Sequence, residues 1–227
     1  MNNDSQKVFL KQTILSQTPD DFIAQAEKFQ ELMMMYNGAM REVETKLRVL
    51  NDEFQIRSQR NPIEFIKCRL KTPPSIMEKL QRRGLDKTFE AVLENINDIA
   101  GVRVVCSFID DIHAITDMLI KQDDITLIEK KDYINSPKAN GYRSMHLVVE
   151  VPVFFSDKKR AMRVEVQIRT IAMDFWASLE HQIHYKQNHN APDHIIQELK
   201  ECADVISSTD FKMQNIQKQL CDYRNHF

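Results

Sequence analysis

The stretch KDYINSPKANGYRSMH, residues 131–146, organises the reading of this chain. Pro fixes φ, and Gly and Asn tolerate positive φ, so Pro137–Gly141 predicts a shaped turn rather than helix or strand. Lys131, Lys138 and Arg143, the rings of Tyr133 and Tyr142, the Ser144 hydroxyl and His146 surround that turn. Rings to stack on, with cations and donors beside them, suit a planar phosphorylated ligand. A surface hairpin between two strands is the alternative, and composition alone does not separate the two.

Working outward, Ile125–Tyr133 and Ser144–Val151 are strand candidates on either side of the loop. Further on, RVEVQIR (163–169) alternates, with Val164, Val166 and Ile168 on one face and Arg163, Glu165, Gln167 and Arg169 on the other. Upstream, Ile99–Phe108 is an apolar run that predicts a buried strand, with Asp98 at its entrance and Arg103 inside it. A charge in a buried strand is costly unless it meets a carboxylate or lines a cleft.

Helices flank these strands. From Asp20 to about Gln59 the apolar residues recur at three and four, and Asn37-Gly38 predicts a bend or break in that helix. Met33–Met35 reads as core or interface packing. Asn61-Pro62 ends the element and Pro62–Phe65 restarts a short one. Pro73-Pro74-Ser75 opens a helix to Arg83 that Gly84 closes. Lys87–Asn95 and Asp110–Lys121 are helical, as are Ile171 to about Asn188 and, after Pro192, a stretch to about Tyr223. The result is an α+β fold with a mixed sheet of four or five strands, flanked by N- and C-terminal helices.

Composition narrows the function. With 31 basic and 33 acidic residues the net charge is −2, so no global field draws the chain to nucleic acid or to a membrane. The four cysteines are widely spaced, which suits reduced thiols in a cytoplasm, and the N-terminus lacks a signal-peptide pattern. There is no GxGxxG and no GxxxxGK, so any phosphate site is built from side chains. Two carboxylates, Asp98 and Glu165, each lie in an Arg-bearing segment. Together they suit Mg²⁺ with nucleotide phosphates. Ion pairs of Asp98 and Glu165 with Arg103 and Arg163 are the structural alternative. His181 and His184 stand three apart on a helix without a partner cluster, and read as packing or surface rather than a metal pair.

Four blocks carry a resemblance: PIEFIKCRLKTPPSIMEKLQRRG (62–84), NDIAGVRVVCSF (97–108), KDYINSPKANGYRSMH (131–146) and VEVQIRTIAMDFWASLEHQIHYK (164–186). In this order they resemble the synthetase domain of the RelA/SpoT homologue family, specifically its stand-alone small alarmone synthetases. The resemblance implies a nucleotidyltransferase-like synthetase fold and a GTP pyrophosphokinase. Such an enzyme moves the β,γ-pyrophosphate of ATP to the 3′-hydroxyl of GDP or GTP, giving (p)ppGpp and AMP in the stringent response. It also implies residue roles. Arg69 and Arg103 would sandwich adenine, and Lys71, Ser75 and Lys79 would hold the ATP phosphates. Asp98 and Glu165 would bind Mg²⁺, with Glu165 also acting as general base. Tyr142 would stack on guanine, with Lys131, Lys138, Asn140, His146, Gln167 and Arg169 around the acceptor and Asp174 at the guanine edge. The domain reading is an irregular residues 1–19, a synthetase domain over 20–190 and an oligomerising helix over 191–227, with a homotetramer expected. The hydrolase and regulatory domains of long family members have no room, so no hydrolase activity is expected. A catalytically silent nucleotide- or RNA-binding module on the same fold is the competing reading.

Overall fold

A computed structural model describes residues 19–58, 60–186 and 192–225; the expected irregular N-terminus lies outside them. Helix α1, Pro19–Ser58, runs unbroken through Asn37-Gly38, so the expected bend or break does not occur. Gly38 instead permits close packing. A Cβ there would stand 3.1 Å from Val153 Cγ1, so the helix lies tight against the sheet. A glycine inside a helix costs about 1 kcal/mol. Burial of Tyr36, Ala39, Val43 and Leu47 outweighs that. Within the methionine run, Met35 is buried and Met33 packs on the core, while Met34 is exposed.

The short restart at Pro62–Phe65 is the beginning of strand β1, Ile63–Leu70. Its alternation explains why: Ile66, Cys68 and Leu70 pack on the core while Phe65, Lys67 and Arg69 face away. Pro62, which lacks an N–H, suits the position just before a strand.

Helix α2, Pro73–Arg82, ends at Arg83, and Gly84 takes φ +67°. Helix α3, Phe89–Asn95, is capped by Thr88, whose side chain accepts from the Ala91 N–H. Then come β2 (Ala100–Cys106), α4 (Ile109–Ile120), β3 (Thr126–Asp132), β4 (Met145–Phe154), β5 (Lys159–Thr170), α5 (Ile171–Lys186) and α6 (Asp193–Asn225). The five strands lie in the order β1-β2-β5-β4-β3. The β2/β5 pair is parallel and the other pairs are antiparallel, which makes the sheet mixed.

One face of the sheet is the core. Val102, Val104, Leu147, Val149, Val164, Val166 and Ile168 pack there with Tyr36, Val43 and Leu47 of α1 and Ile112, Ile115 and Leu119 of α4. At about 0.8 kcal/mol per buried methylene, this layer supplies most of the apolar stabilisation. The other face carries the polar residues of β5 and is left to the site. Helix α6 docks through its inner stripe. The Gln214 carboxamide oxygen accepts from the Asp110 N–H at 2.9 Å, and Leu199 O accepts from Trp176 Nε1 at 2.9 Å. No helix among the described residues is long and apolar enough to cross a membrane.

Candidate active site

Strand register assembles the site. Across the polar face, Lys67 on β1 lies opposite Arg103 on β2, then Gln167 on β5, His146 on β4 and Lys131 on β3. The neighbouring row runs Arg69, Gly101 and Glu165. Glycine in the middle of that row leaves an open floor between the Arg69 and Glu165 positions. Above it is a cleft of about 490 Å³ lined by Arg69, Lys71, Asp98, Arg103, Tyr142, Glu165, Gln167 and Arg169, with α5 as the opposite wall.

Asp98 stands at the entrance of β2 on a lysine clamp. Its Oδ2 accepts from Lys71 Nζ at 3.0 Å and lies 2.8 Å from Lys79 Nζ. Burial raises its pKa, but the hydrogen bonds from Lys79 and Lys71 outweigh that and hold it below the ordinary value. Its Oδ1 is buried without a hydrogen-bond partner. The neighbouring Asn97 is pinned by Arg163 Nη1 at 3.1 Å, so β5 also fixes the approach to Asp98.

Glu165 is held from two sides. Oε2 accepts from Gln167 Nε2 at 2.8 Å, and Oε1 lies 3.9 Å from His146 Nδ1. Both supports lead back to Arg169, which is almost wholly buried. Its Nη2 donates to Gln167 Oε1 at 3.0 Å and to the Tyr142 hydroxyl at 2.6 Å, and that hydroxyl lies 2.7 Å from His146 Nε2. Arg169 Nη1 donates to Asp174 Oδ1 at 3.0 Å, an oxygen that Arg103 Nη1 approaches at 3.3 Å. Burial pushes the His146 pKa down to about 3, and the Arg169, Lys138, Lys131 and Arg103 charges add to the shift. His146 is therefore a neutral imidazole at any ordinary pH.

The structural alternative, ion pairs of Asp98 and Glu165 with Arg103 and Arg163, is not what forms. Arg103 turns to Asp174, and Arg163 reaches Asn97 and Glu94 O. Other expected residues border the cleft rather than line it. Ser75, in the first turn of α2, shares a hydrogen bond with Thr72 at 2.9 Å. Lys131, on edge strand β3, pairs with Glu129 at 2.9 Å. Asn140 Nδ2 donates to Glu180 Oε1 at 3.2 Å, while Asn140 Oδ1 accepts from the Tyr142 N–H at 3.2 Å. Lys138 Nζ sits 4.8 Å from the centres of both the Tyr133 and the Tyr142 rings, a cation–π arrangement.

Sequence reasoning missed several lining residues: Lys67 on β1, and Ser178, His181 and Gln182 on α5. The α5 spacing held the signal. Asp174, Ala177, Ser178, His181 and Gln182 fall on one stripe of a helix, the face a cleft wall presents. Among the described residues no cluster of three or more metal-ligating side chains forms. The His184 side chain lies outside them.

Fold and cleft together bring cations, an arginine pair, a tyrosine ring and two carboxylates to one place, the makings of a transferase site. Residues 68–190 match the region found in RelA/SpoT proteins, and the chain belongs to that family. It is 42% identical over 201 residues to the GTP pyrophosphokinase YwaC of Bacillus subtilis (strain 168), covering 88% of this chain and 96% of the relative. Among solved structures it is similar to small alarmone synthetase 1 from Bacillus subtilis bound to its product pppGpp (TM-score 0.78, 34% identity), covering 85% of this chain and 98% of that one. It is also similar to the same synthetase bound to AMPCPP (TM-score 0.74, 32% identity), covering 86% and 99% of the two chains.

Proposed function

We propose that this chain is a GTP pyrophosphokinase that moves the β,γ-pyrophosphoryl group of ATP to the ribose 3′-hydroxyl of GDP or GTP. The products are (p)ppGpp and AMP. The observation that carries this reading is the pair of carboxylates in one cleft. Asp98 sits on the lysine clamp, and Glu165 sits beside the loop that bears Tyr142. The pppGpp- and AMPCPP-bound relatives support the two nucleotide types.

On this reading Arg69 and Arg103 flank adenine, since a guanidinium is planar and stays charged. Lys71 and Lys79, with Ser75, hold the ATP phosphates, turning from Asp98 to the more negative ligand. Tyr142 stacks on guanine, and Asp174 accepts from its N1 and N2 donors. Lys131, Lys138, Asn140 and His146 serve the acceptor's phosphates and ribose. Glu165 takes the proton of the 3′-hydroxyl as that oxygen bonds to the β-phosphorus. The bond from the β-phosphorus to the α,β-bridging oxygen breaks, and that oxygen leaves with AMP. Gln167 orients the carboxylate, and Arg169 holds Gln167.

The donor set fits a hard divalent cation, because Asp98 Oδ1 is a buried carboxylate oxygen without a protein partner. Asp98 and Glu165 would hold Mg²⁺, which neutralises charge on the transferring phosphates. The four cysteines are free, in keeping with a cytoplasmic protein.

Glu165→Gln and Asp98→Asn test these roles. Loss of a general base costs roughly 10²–10⁴-fold in turnover. Each variant should lose turnover by at least the lower figure, while Glu165→Gln still binds an ATP analogue in calorimetry. Near-wild-type product formation by Glu165→Gln would sink the assignment.

A further inference from the structure

We infer that α6 is part of the acceptor-nucleotide site, and that Ala203 positions Tyr142 by occupying the space over Gly141. The inference rests on the pyrophosphokinase reading, which places guanine on Tyr142 but gives α6 no role in catalysis or binding.

The contact is unusually close. Gly141 takes φ +88°, and a Cβ built on it would stand 2.5 Å from Ala203 Cβ, with Lys200 Cα and O at 3.8 Å. The glycine therefore meets two demands, a left-handed backbone and a helix lying on top of it. The turn it belongs to is closed on itself. Gly141 N–H donates to Lys138 O at 2.9 Å, and Lys138 N–H donates to Tyr142 O at 3.2 Å. A rigid turn pressed by a helix has little room to shift, so the pressure sets the ring that follows. Tyr142 packs against the buried cluster of Trp176, Ala177 and Ala203, which Leu199 and Ile206 also cover, and Trp176 Nε1 donates to Leu199 O.

A second contact lies about two turns further along α6. The Asp210 carboxylate accepts from Thr170 Oγ1 at 2.6 Å, and Thr170 directly follows Arg169. Helix α6 thus touches the acceptor loop at Gly141 and the end of β5 next to Arg169. Arg169 donates to the Tyr142 hydroxyl, so α6 braces both members of that hydrogen bond. On the donor side, Arg69 lies on β1, Lys71 just after it and Lys79 on α2, away from these contacts, and Arg103 on β2 meets the Arg169 network through Asp174. Moving α6 at Ala203 therefore shifts the acceptor site and spares the donor site. Ala203 acts through Gly141 and Tyr142, so it is a positioning residue.

The test uses the full-length chain and calorimetric titration with GDP and with a non-hydrolysable ATP analogue, alongside the KM for each substrate. Ala203→Leu drives a larger side chain into Gly141 and should raise the GDP Kd and KM about tenfold, leaving ATP-analogue binding within about twofold. Ala203→Gly withdraws the filling methyl and should raise the GDP values by a smaller factor, again sparing ATP; it also serves if the leucine variant does not fold. Ala203→Ser, close to the native volume, should restore wild-type values. Equal losses for both nucleotides, or a lower Tm with both affinities unchanged, would overturn the inference. Wild-type protein that binds neither nucleotide would instead overturn the pyrophosphokinase reading.

Discussion

Arg169 couples the two chemical halves of the cleft at the scale of single residues. Its guanidinium donates at once toward Gln167, Tyr142 and Asp174, and thereby links the support of the Glu165 carboxylate to the Tyr142 ring. The Tyr142 hydroxyl accepts from Arg169, which leaves its own hydrogen free for His146 Nε2. With that donation, the neutral imidazole carries its proton on Nδ1, the nitrogen 3.9 Å from Glu165. A protonated His146 would place a cation among Arg169, Lys138 and Lys131, and burial disfavours it further. The sign of the pH effect follows. Unfolded, the imidazole binds a proton near its ordinary pKa of 6.5; folded, it does so only near 3. Between those values the unfolded state holds more protons, so stability is present above pH 6.5 and declines as pH falls toward 3. The slope from this group is at most about 1.4 kcal/mol per pH unit. Denaturant unfolding measured from pH 7 to pH 4.5 should show that decline, and His146→Asn should flatten it. An unchanged slope in the variant would refute the assignment.

Among the elements, alternation in residues 163–169 was legible from the chain alone because a strand with one buried face must alternate. Asp98 and Glu165 stood out for a related reason, as charges set in or beside apolar strands. Strand β1 was harder to read. Pro62 and the Pro73-Pro74 pair frame only ten residues, and the alternation Phe65, Lys67, Arg69 shows only once the partner strand β2 is known. The Arg163 contact with Asn97 and the Ala203 contact with Gly141 join segments distant in sequence, and neither has a local signal. On α6 the inner stripe of Ala203, Asp210 and Gln214 is buried, whereas Val205, Met213, Ile216 and Leu220 form an exposed apolar stripe at helical spacing. We propose that copies of the chain associate through this stripe, in the homotetramer that the family resemblance implies. Light scattering of the purified chain at micromolar concentration should give the mass of a tetramer, and Ile216→Glu with Met213→Glu should lower it. A wild-type monomer would contradict the assignment.

Over the whole molecule, a chain of net charge −2 keeps a cation-rich cleft. Lys67, Arg69, Lys71, Arg103 and Arg169 line one side of a single sheet, so the field that attracts polyphosphates is local rather than global. The alternation of β5 sends its apolar side chains to the core with α1 and α4, and Glu165, Gln167 and Arg169 to the cleft. One five-stranded layer therefore serves as both core and cleft floor. If the group transferred is pyrophosphoryl, phosphorus NMR of a reaction containing ATP, GDP and Mg²⁺ should show AMP and a guanosine 3′-pyrophosphate formed one for one. Formation of ADP, release of free pyrophosphate, or both nucleotides left unchanged would contradict it.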